Sequence, residues 1–163
     1  MHDEAYNFFS RSLAQLNIPT TVVELGSRNV NGTLRGLLPS YARYIGVDIT
    51  DGPDVDVVAD AADFVPEVTP NFVLCAEVLE HTPRAAEICA NAHRMLVDNG
   101  FFLLSAASDP RAEHSAVDGG PGLRDGEYYH NVSPDDLAEW LKPFSRYTIG
   151  THPRGDIYAV AQK

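Results

Sequence analysis

Residue types able to hold a ligand or move a proton recur at several places in the chain, each at the end of a short apolar run. The run Thr20 to Leu25 carries Glu24 and is closed by Gly26, with Ser27, Arg28, Asn29, Val30, Asn31 and Gly32 behind it. A glycine there lets backbone approach a ligand closely, and such a turn leads toward amide groups that can face an anion. Asp48 and Ile49 end the run Tyr44 to Ile49, about twenty residues further on, where a carboxylate can accept both hydroxyls of a ribose. Asp60 and Ala61 follow Val55 to Ala59. Ala76 ends Asn71 to Ala76, and Glu77, Glu80 and His81 come directly behind it. His81 and His130 are the side chains best suited to act as a general base near neutral pH. Tyr128, Tyr129 and His130 form an aromatic cluster that suits a substrate wall, with His114 on the same stretch of chain. Each residue alone has an ordinary reading too: Glu24 as a salt-bridge partner, Asp48 as a strand-terminal carboxylate, Asp60 as a helix cap, the tyrosines as a clasp on the sheet. Their shared position at the ends of successive runs argues for one pocket.

The elements that must position these residues follow from periodicity. Ala5, Phe8, Phe9, Ser12, Leu13 and Leu16 recur at helical spacing, and Pro19 ends that helix. The four apolar runs read as strands, and Thr33 to Leu38 is a short helix candidate between the first two. Thr82 before Pro83 predicts a helix start, with Ile88, Ala92, Met95 and Leu96 turned inward and Asp98, Asn99 and Gly100 as its stop. Phe101 to Ala107 is a fifth strand. Ser133 predicts a cap for a second helix, with Pro134 first and Leu137, Trp140 and Leu141 as its buried stripe. The runs Arg146 to Thr151 and Asp156 to Ala161, joined by residues 152 to 155, predict a hairpin. Continuous apolar strands alternating with helices imply a parallel sheet covered on both faces. The stretch Ser108 to Val132, with Gly119, Gly120, Gly122 and Gly126, predicts a loop that is mobile without ligand and closes as a lid.

In order, VVELGSRNVNG (22–32), YIGVDI (44–49), VVADA (57–61), VLCAEVLEHTP (73–83) and GFFLLSA (100–106) resemble the motifs of the class I S-adenosylmethionine-dependent methyltransferases, in a small single-domain form. The resemblance implies a three-layer, Rossmann-like α/β sandwich. Its sheet would have seven strands, mostly parallel, with a C-terminal antiparallel hairpin. It also implies S-adenosylmethionine as cofactor and methyl transfer to an unidentified, small-molecule acceptor. Gly26 and its neighbours Glu24, Ser27, Arg28 and Asn31 would cradle the methionine moiety. Asp48 and Ile49 would hold the ribose, Asp60 and Ala61 the adenine, and Ala76 and Glu77 would lie beneath the sulfonium. The loop departs from the family's usual spacing of glycines, since Arg28 and Val30 stand at the second and third glycine positions and Asn31 with Gly32 turns one step later. Asn71 stands where an acidic residue commonly opens the fourth strand. Two other readings remain: an NAD-dependent oxidoreductase on a similar sheet, and a non-catalytic adenosylmethionine-binding protein. Glu24 ahead of the glycine, and the absence of Gly-x-Gly-x-x-Gly, speak against NAD.

Composition bounds the partners. The 163 residues suit one domain over 1–163. Twelve Lys and Arg against 23 Asp and Glu give a net charge of −11, and Lys142 and Lys163 are the only lysines. No nucleic acid and no membrane is expected as a partner, because phosphate surfaces are bound by clustered cations. Cys75 and Cys89 have no zinc-like spacing, and Cys89 with His93 one helical turn on supplies only two ligands, so no metal site is expected. Tyr41 and Tyr44 read as packing, and His2, His93 and His152 as surface or structural residues. The start MHDEAYNFF has no basic region or long apolar stretch, which points to the cytoplasm.

Overall fold

Alternation inside the apolar runs decides which layer each side chain joins. In a computed structural model, which describes residues 2–16 and 19–163, the runs form β1 (Thr21–Leu25), β2 (Arg43–Asp48), β3 (Val57–Val58), β4 (Phe72–Ala76) and β5 (Phe101–Ala107). These five are parallel. The chain ends in β6 (Arg146–His152) and β7 (Asp156–Gln162), with β7 antiparallel to both β5 and β6. The sheet order is β3-β2-β1-β4-β5-β7-β6. Val22, Phe72, Leu74, Phe101 and Leu103 face one side, where α1 (Asp3–Gln15) lays Phe9 and Leu13 on them. Val23, Leu25, Val73, Cys75, Phe102 and Leu104 face the other, beneath α2 (Ala85–Met95) and α3 (Pro134–Trp140), which contribute Ile88, Cys89, Ala92, Met95 and Leu137. Both cysteines are buried and free. Both faces are thus covered, the condition under which parallel strands are continuously apolar.

The helix layers are thinner than the sequence suggests. The expected helix over 33–38 is a single 3-10 turn at Arg35–Leu37, because Gly36 and Pro39 leave no room for a stable α-helix, although Leu34 is still buried against the α1 face. The strand expected from Val55 is cut to Val57–Val58. The Asp56 carboxylate turns back to accept the Gly46 amide at 2.8 Å, and Asp54 takes a left-handed conformation. The start of α2 also shifts. Thr82 Oγ1 does accept a backbone amide, that of Arg84 at 3.0 Å, but it closes a turn ahead of the helix, which begins at Ala85. Ser133 caps α3 as expected, accepting from the Asp136 amide at 3.1 Å. Asn71 pins two strands together. Its Oδ1 accepts the amides of Thr20 and Thr21, both at 3.0 Å, and so fixes the start of β1 beside β4.

Candidate active site

The chain runs outward from β1 to β2 and β3, then returns to pair β4 with β1, so a crevice opens at the carboxyl ends of β1 and β4. A cavity of about 1100 Å³ occupies it. Glu24, Gly26, Arg28 and Asn31 line it from the first strand and its turn, and Asp48 and Ile49 from the second. Asp60, Ala61, Ala76, Glu77 and His81 line it from the segments after β3 and β4. The strand ends therefore bring together most of the residues singled out in the sequence.

Gly26 has φ +78, and a Cβ there would overlap Val78 Cγ2, so only glycine fits between β1 and the turn after β4. Its amide and that of Ser27 both donate to the Val47 carbonyl, at 2.8 and 3.0 Å, which clamps the loop to β2. Ser27 is a correction. Its side chain is buried beneath the loop, its hydroxyl has no hydrogen-bond partner among the described residues, and it does not line the cavity. Asp48 is held at both oxygens, Oδ2 accepting the Arg28 amide at 3.1 Å and Oδ1 the Thr50 amide at 2.9 Å. A carboxylate has about four acceptor sites, so two remain for a ligand. Ile49 beside it is 71% exposed, an apolar side chain open to the cavity. Asp60 accepts the Ala62 amide at 2.8 Å and the Arg84 guanidinium at 2.6 Å.

Glu24 is 3% exposed and accepts the Tyr44 hydroxyl at 2.6 Å, which gives Tyr44 a positioning role beyond packing. Burial pushes the Glu24 carboxyl up to about 7, against the Tyr44 hydrogen bond, with the Asp54 charge adding to the rise. A carboxyl raised in the folded state stabilises the protein fully below its unfolded value of 4.5, and that contribution is lost as pH rises through 7. Glu24→Gln should therefore match the wild type in urea unfolding at about pH 4 and exceed it by about 3 kcal/mol at about pH 8. A constant difference across that range would place the proton elsewhere.

Residues that local sequence leaves as ordinary also enter the site. Glu77, at φ +56, accepts the Ser105 hydroxyl at 2.8 Å and faces His2 Nε2 at 3.4 Å and Arg111 Nη2 at 3.7 Å. Asp156, at the start of β7, is buried and pairs with Arg111 and with His2 Nε2 at 3.0 Å. Burial pushes Glu77 up, but hydrogen bonds from His2 and Ser105 and the nearby positive charges outweigh it, and its carboxyl lies below the ordinary range. His2 is correspondingly raised, chiefly by its bond to Glu77. His2 and Arg111 both line the cavity. Their partners come from the end of β4 and from β7, so no local spacing could have shown the pairing.

His81 packs edge-on to His114 and Tyr129, with ring centroids 4.8 and 5.4 Å away. Burial pushes His81 down to about 4, with the His114 charge adding, so it is neutral at pH 7 and a weak base. His114 lines the cavity, while Tyr129 stands behind the two histidines and donates to Asn131 at 3.0 Å. His130 and Tyr128 are corrections. Both are exposed and neither lines the cavity, because the His130 amide donates to the Glu80 carbonyl at 2.8 Å and this anchoring leaves the side chains on the outer surface.

The segment 108–132 forms part of the cavity wall and is cross-linked within itself. Glu127 accepts the Ser115 hydroxyl at 2.9 Å and the amides of Val117 and Arg124 at 3.1 and 2.6 Å. Arg124 pairs with Asp118 at 2.8 Å, and Arg28 reaches across from the glycine turn to the Ala116 carbonyl at 3.0 Å. The segment therefore has far more polar anchoring than its glycines suggest.

Comparison with known proteins agrees with this geometry. No curated protein sequence matches the chain. Among solved structures it is similar to the Burkholderia thailandensis 1,6-didemethyltoxoflavin-N1-methyltransferase with bound 1,6-didemethyltoxoflavin and S-adenosylhomocysteine, at TM-score 0.68 and 17% identity over 99% of this chain and 77% of that one. It is also similar to the DhpI-SAM-HEP complex, at TM-score 0.70 and 22% identity over 99% and 86%. A third is the Bradyrhizobium japonicum N-methyltransferase NodS in complex with S-adenosylhomocysteine, at TM-score 0.65 and 13% identity over 99% and 86%. A family model described as a methyltransferase domain matches residues 2–144, most of the chain. The chain belongs to that methyltransferase-domain family.

Proposed function

We propose that the chain transfers a methyl group from S-adenosylmethionine to a small polar acceptor. The observation that carries the reading is the Asp48 carboxylate, oriented by two backbone amides at the end of β2 beside the turn at Gly26, with bare Ile49 next to it. That combination fits a nucleoside: two acceptor sites for ribose hydroxyls and an apolar face for a base. Asp48, Asp60, Glu77, Glu113 and Glu127 all border the cavity, opposed there by Arg28, Arg84 and Arg111, and the whole chain is at −11, a field that favours a cationic donor. The adenosyl ligands of the structural neighbours support the reading, as does the family.

When bound, S-adenosylmethionine supplies a methyl group on a sulfonium, a leaving group that needs no acid. The chain's own residues have to align and enclose. Asp48 would fix the nucleoside end, while the turn at Gly26 and Glu77, set by Ser105, His2 and Arg111, would hold the methionine and sulfonium end. Arg111, His81 and His114 then form the wall that an acceptor would meet. Holding two reactants in line can supply several kcal/mol of the barrier. Burial makes His81 a weak base at neutral pH. The volume of the cavity exceeds the usual space for one small ligand, which leaves room for an acceptor.

With charge −11 and few lysines, a nucleic acid or anionic membrane is a poor partner. Among the described residues no helix is long and apolar enough to cross a membrane. We read residues 1–163 as one domain and place it in the cytoplasm, where two free buried cysteines fit a reducing compartment. The direct test is turnover. The protein would be incubated with methyl-labelled S-adenosylmethionine and panels of small hydroxyl, amine and N-heterocyclic compounds. The expected result is label in one panel with equimolar S-adenosylhomocysteine. Tight binding of S-adenosylhomocysteine with no transfer in any panel would favour a non-catalytic binding protein instead.

A further inference from the structure

Two clusters of side chains among the described residues have the composition of a metal site. In one, His2, Glu77 and Asp156 stand together, but Arg111 already supplies the cation between the two acids. The other is formed by Glu80, His81 and His114, whose candidate ligand atoms all lie within 4.8 Å of one another. No Lys or Arg pairs with Glu80 among the described residues, its one ionisable neighbour at ion-pair distance being His81 at 4.0 Å.

The polar atoms of this second cluster are left over. Glu80 is wholly buried, and while Oε1 accepts the Ala107 amide at 3.1 Å, Oε2 has no hydrogen-bond partner among the described residues. Nδ1 of His81 is buried and unpartnered there as well. Leaving such groups unpaired in the interior is costly, and more so for a charge. His114 adds a ring already oriented by backbone, because Nδ1 lies 3.3 Å from the Ala112 carbonyl and must be the donor, which leaves Nε2 as a lone-pair ligand. A backbone carbonyl behind a ligating histidine is the usual device for fixing its tautomer.

We propose that Glu80, His81 and His114 form a binding site for one divalent first-row transition cation in the cavity wall. Two imidazoles and a carboxylate make a borderline donor set that suits zinc, cobalt, manganese or iron, whereas magnesium and calcium prefer all-oxygen shells. The donors need to draw in from their present spacing to the roughly 2 Å bond lengths of such an ion. The His114 ring would supply that movement through its side-chain torsions, since the backbone of the 108–132 segment is cross-linked. Three protein ligands leave a coordination position open, and because His81 and His114 face the cavity, it points where a small molecule can enter. Spacing along the chain conceals this set, because His114 is far from the adjoining pair Glu80 and His81.

The test uses the full chain, stripped with chelator and titrated with zinc chloride by calorimetry, and with cobalt chloride by visible absorption. One ion per chain is expected, with ligand-field bands from cobalt. His114→Ala and Glu80→Gln should each weaken zinc binding by about 100-fold, while His152→Ala should not change it. Glu80→Gln keeps the volume and an oxygen for the Ala107 amide, so circular dichroism should show an intact fold. Absence of zinc and cobalt binding by the wild type, or wild-type affinity in the His114 and Glu80 variants, would overturn the proposal. The metal is the sole probe, so the outcome does not depend on the identity of the methyl donor.

Discussion

Gly26→Ala is expected to abolish binding of S-adenosylmethionine and S-adenosylhomocysteine, a loss of about 100-fold or more in affinity. Two physical terms add. The added methyl would overlap Val78 Cγ2, and Val78 has little freedom to move because its branched side chain packs against the core. The backbone at φ +78 also disfavours any residue with a Cβ, at about 1 to 2 kcal/mol. Relief of the clash must shift either the turn after β4, which carries Glu77, or the Gly26 turn, whose amides are clamped to Val47. Each movement misplaces one end of the ligand. The double variant Gly26→Ala with Val78→Ala should recover part of the affinity, because it removes the clash and leaves the backbone strain. Wild-type affinity in the single variant would show that this turn does not approach the ligand.

Asp48→Ala should weaken the same ligands by about ten- to hundredfold, the worth of charge-assisted bonds at roughly 1.5 to 3 kcal/mol. In the proposed site the carboxylate would do more than meet a ribose. It ties the Arg28 amide to that of Thr50, so its removal also loosens the loop between β1 and the cavity. Asp51 is the matched control. It is exposed, accepts the amide of its neighbour Gly52 at 2.8 Å and does not line the cavity, so Asp51→Ala should stay within about twofold of wild type. Equal loss in the two variants, measured by calorimetry, would mean that the ribose lies elsewhere.

Strands and the residues at their ends are readable from sequence because their determinants are local. A β-branched apolar run closed by glycine or aspartate is a strand end wherever it occurs, and in a parallel sheet the ends of neighbouring strands converge. That is why Gly26, Asp48, Asp60 and Glu77 are legible together. The proposed acceptor side is less so, since it is assembled by long-range pairing. His2 and Arg111 look like ordinary surface residues until β7 brings Asp156 next to Glu77. Arg28 occupies a position where the resemblance suggests glycine, and its reason lies in the Ala116 carbonyl across the cavity. His130 stands outside the cavity for a similar reason: its backbone, not its ring, is recruited by the Glu80 carbonyl. The loop 108–132 looks loosely held in sequence because its glycines are visible there, while the bonds converging on Glu127 are not.

Whether this cavity holds an adenosyl donor is answered most directly by calorimetric titration of S-adenosylhomocysteine into the free protein, with NADH as comparison. One S-adenosylhomocysteine bound per chain and no heat from NADH is the expected result. No heat with S-adenosylhomocysteine or S-adenosylmethionine at millimolar concentration, or saturable binding of NADH in their place, would contradict it.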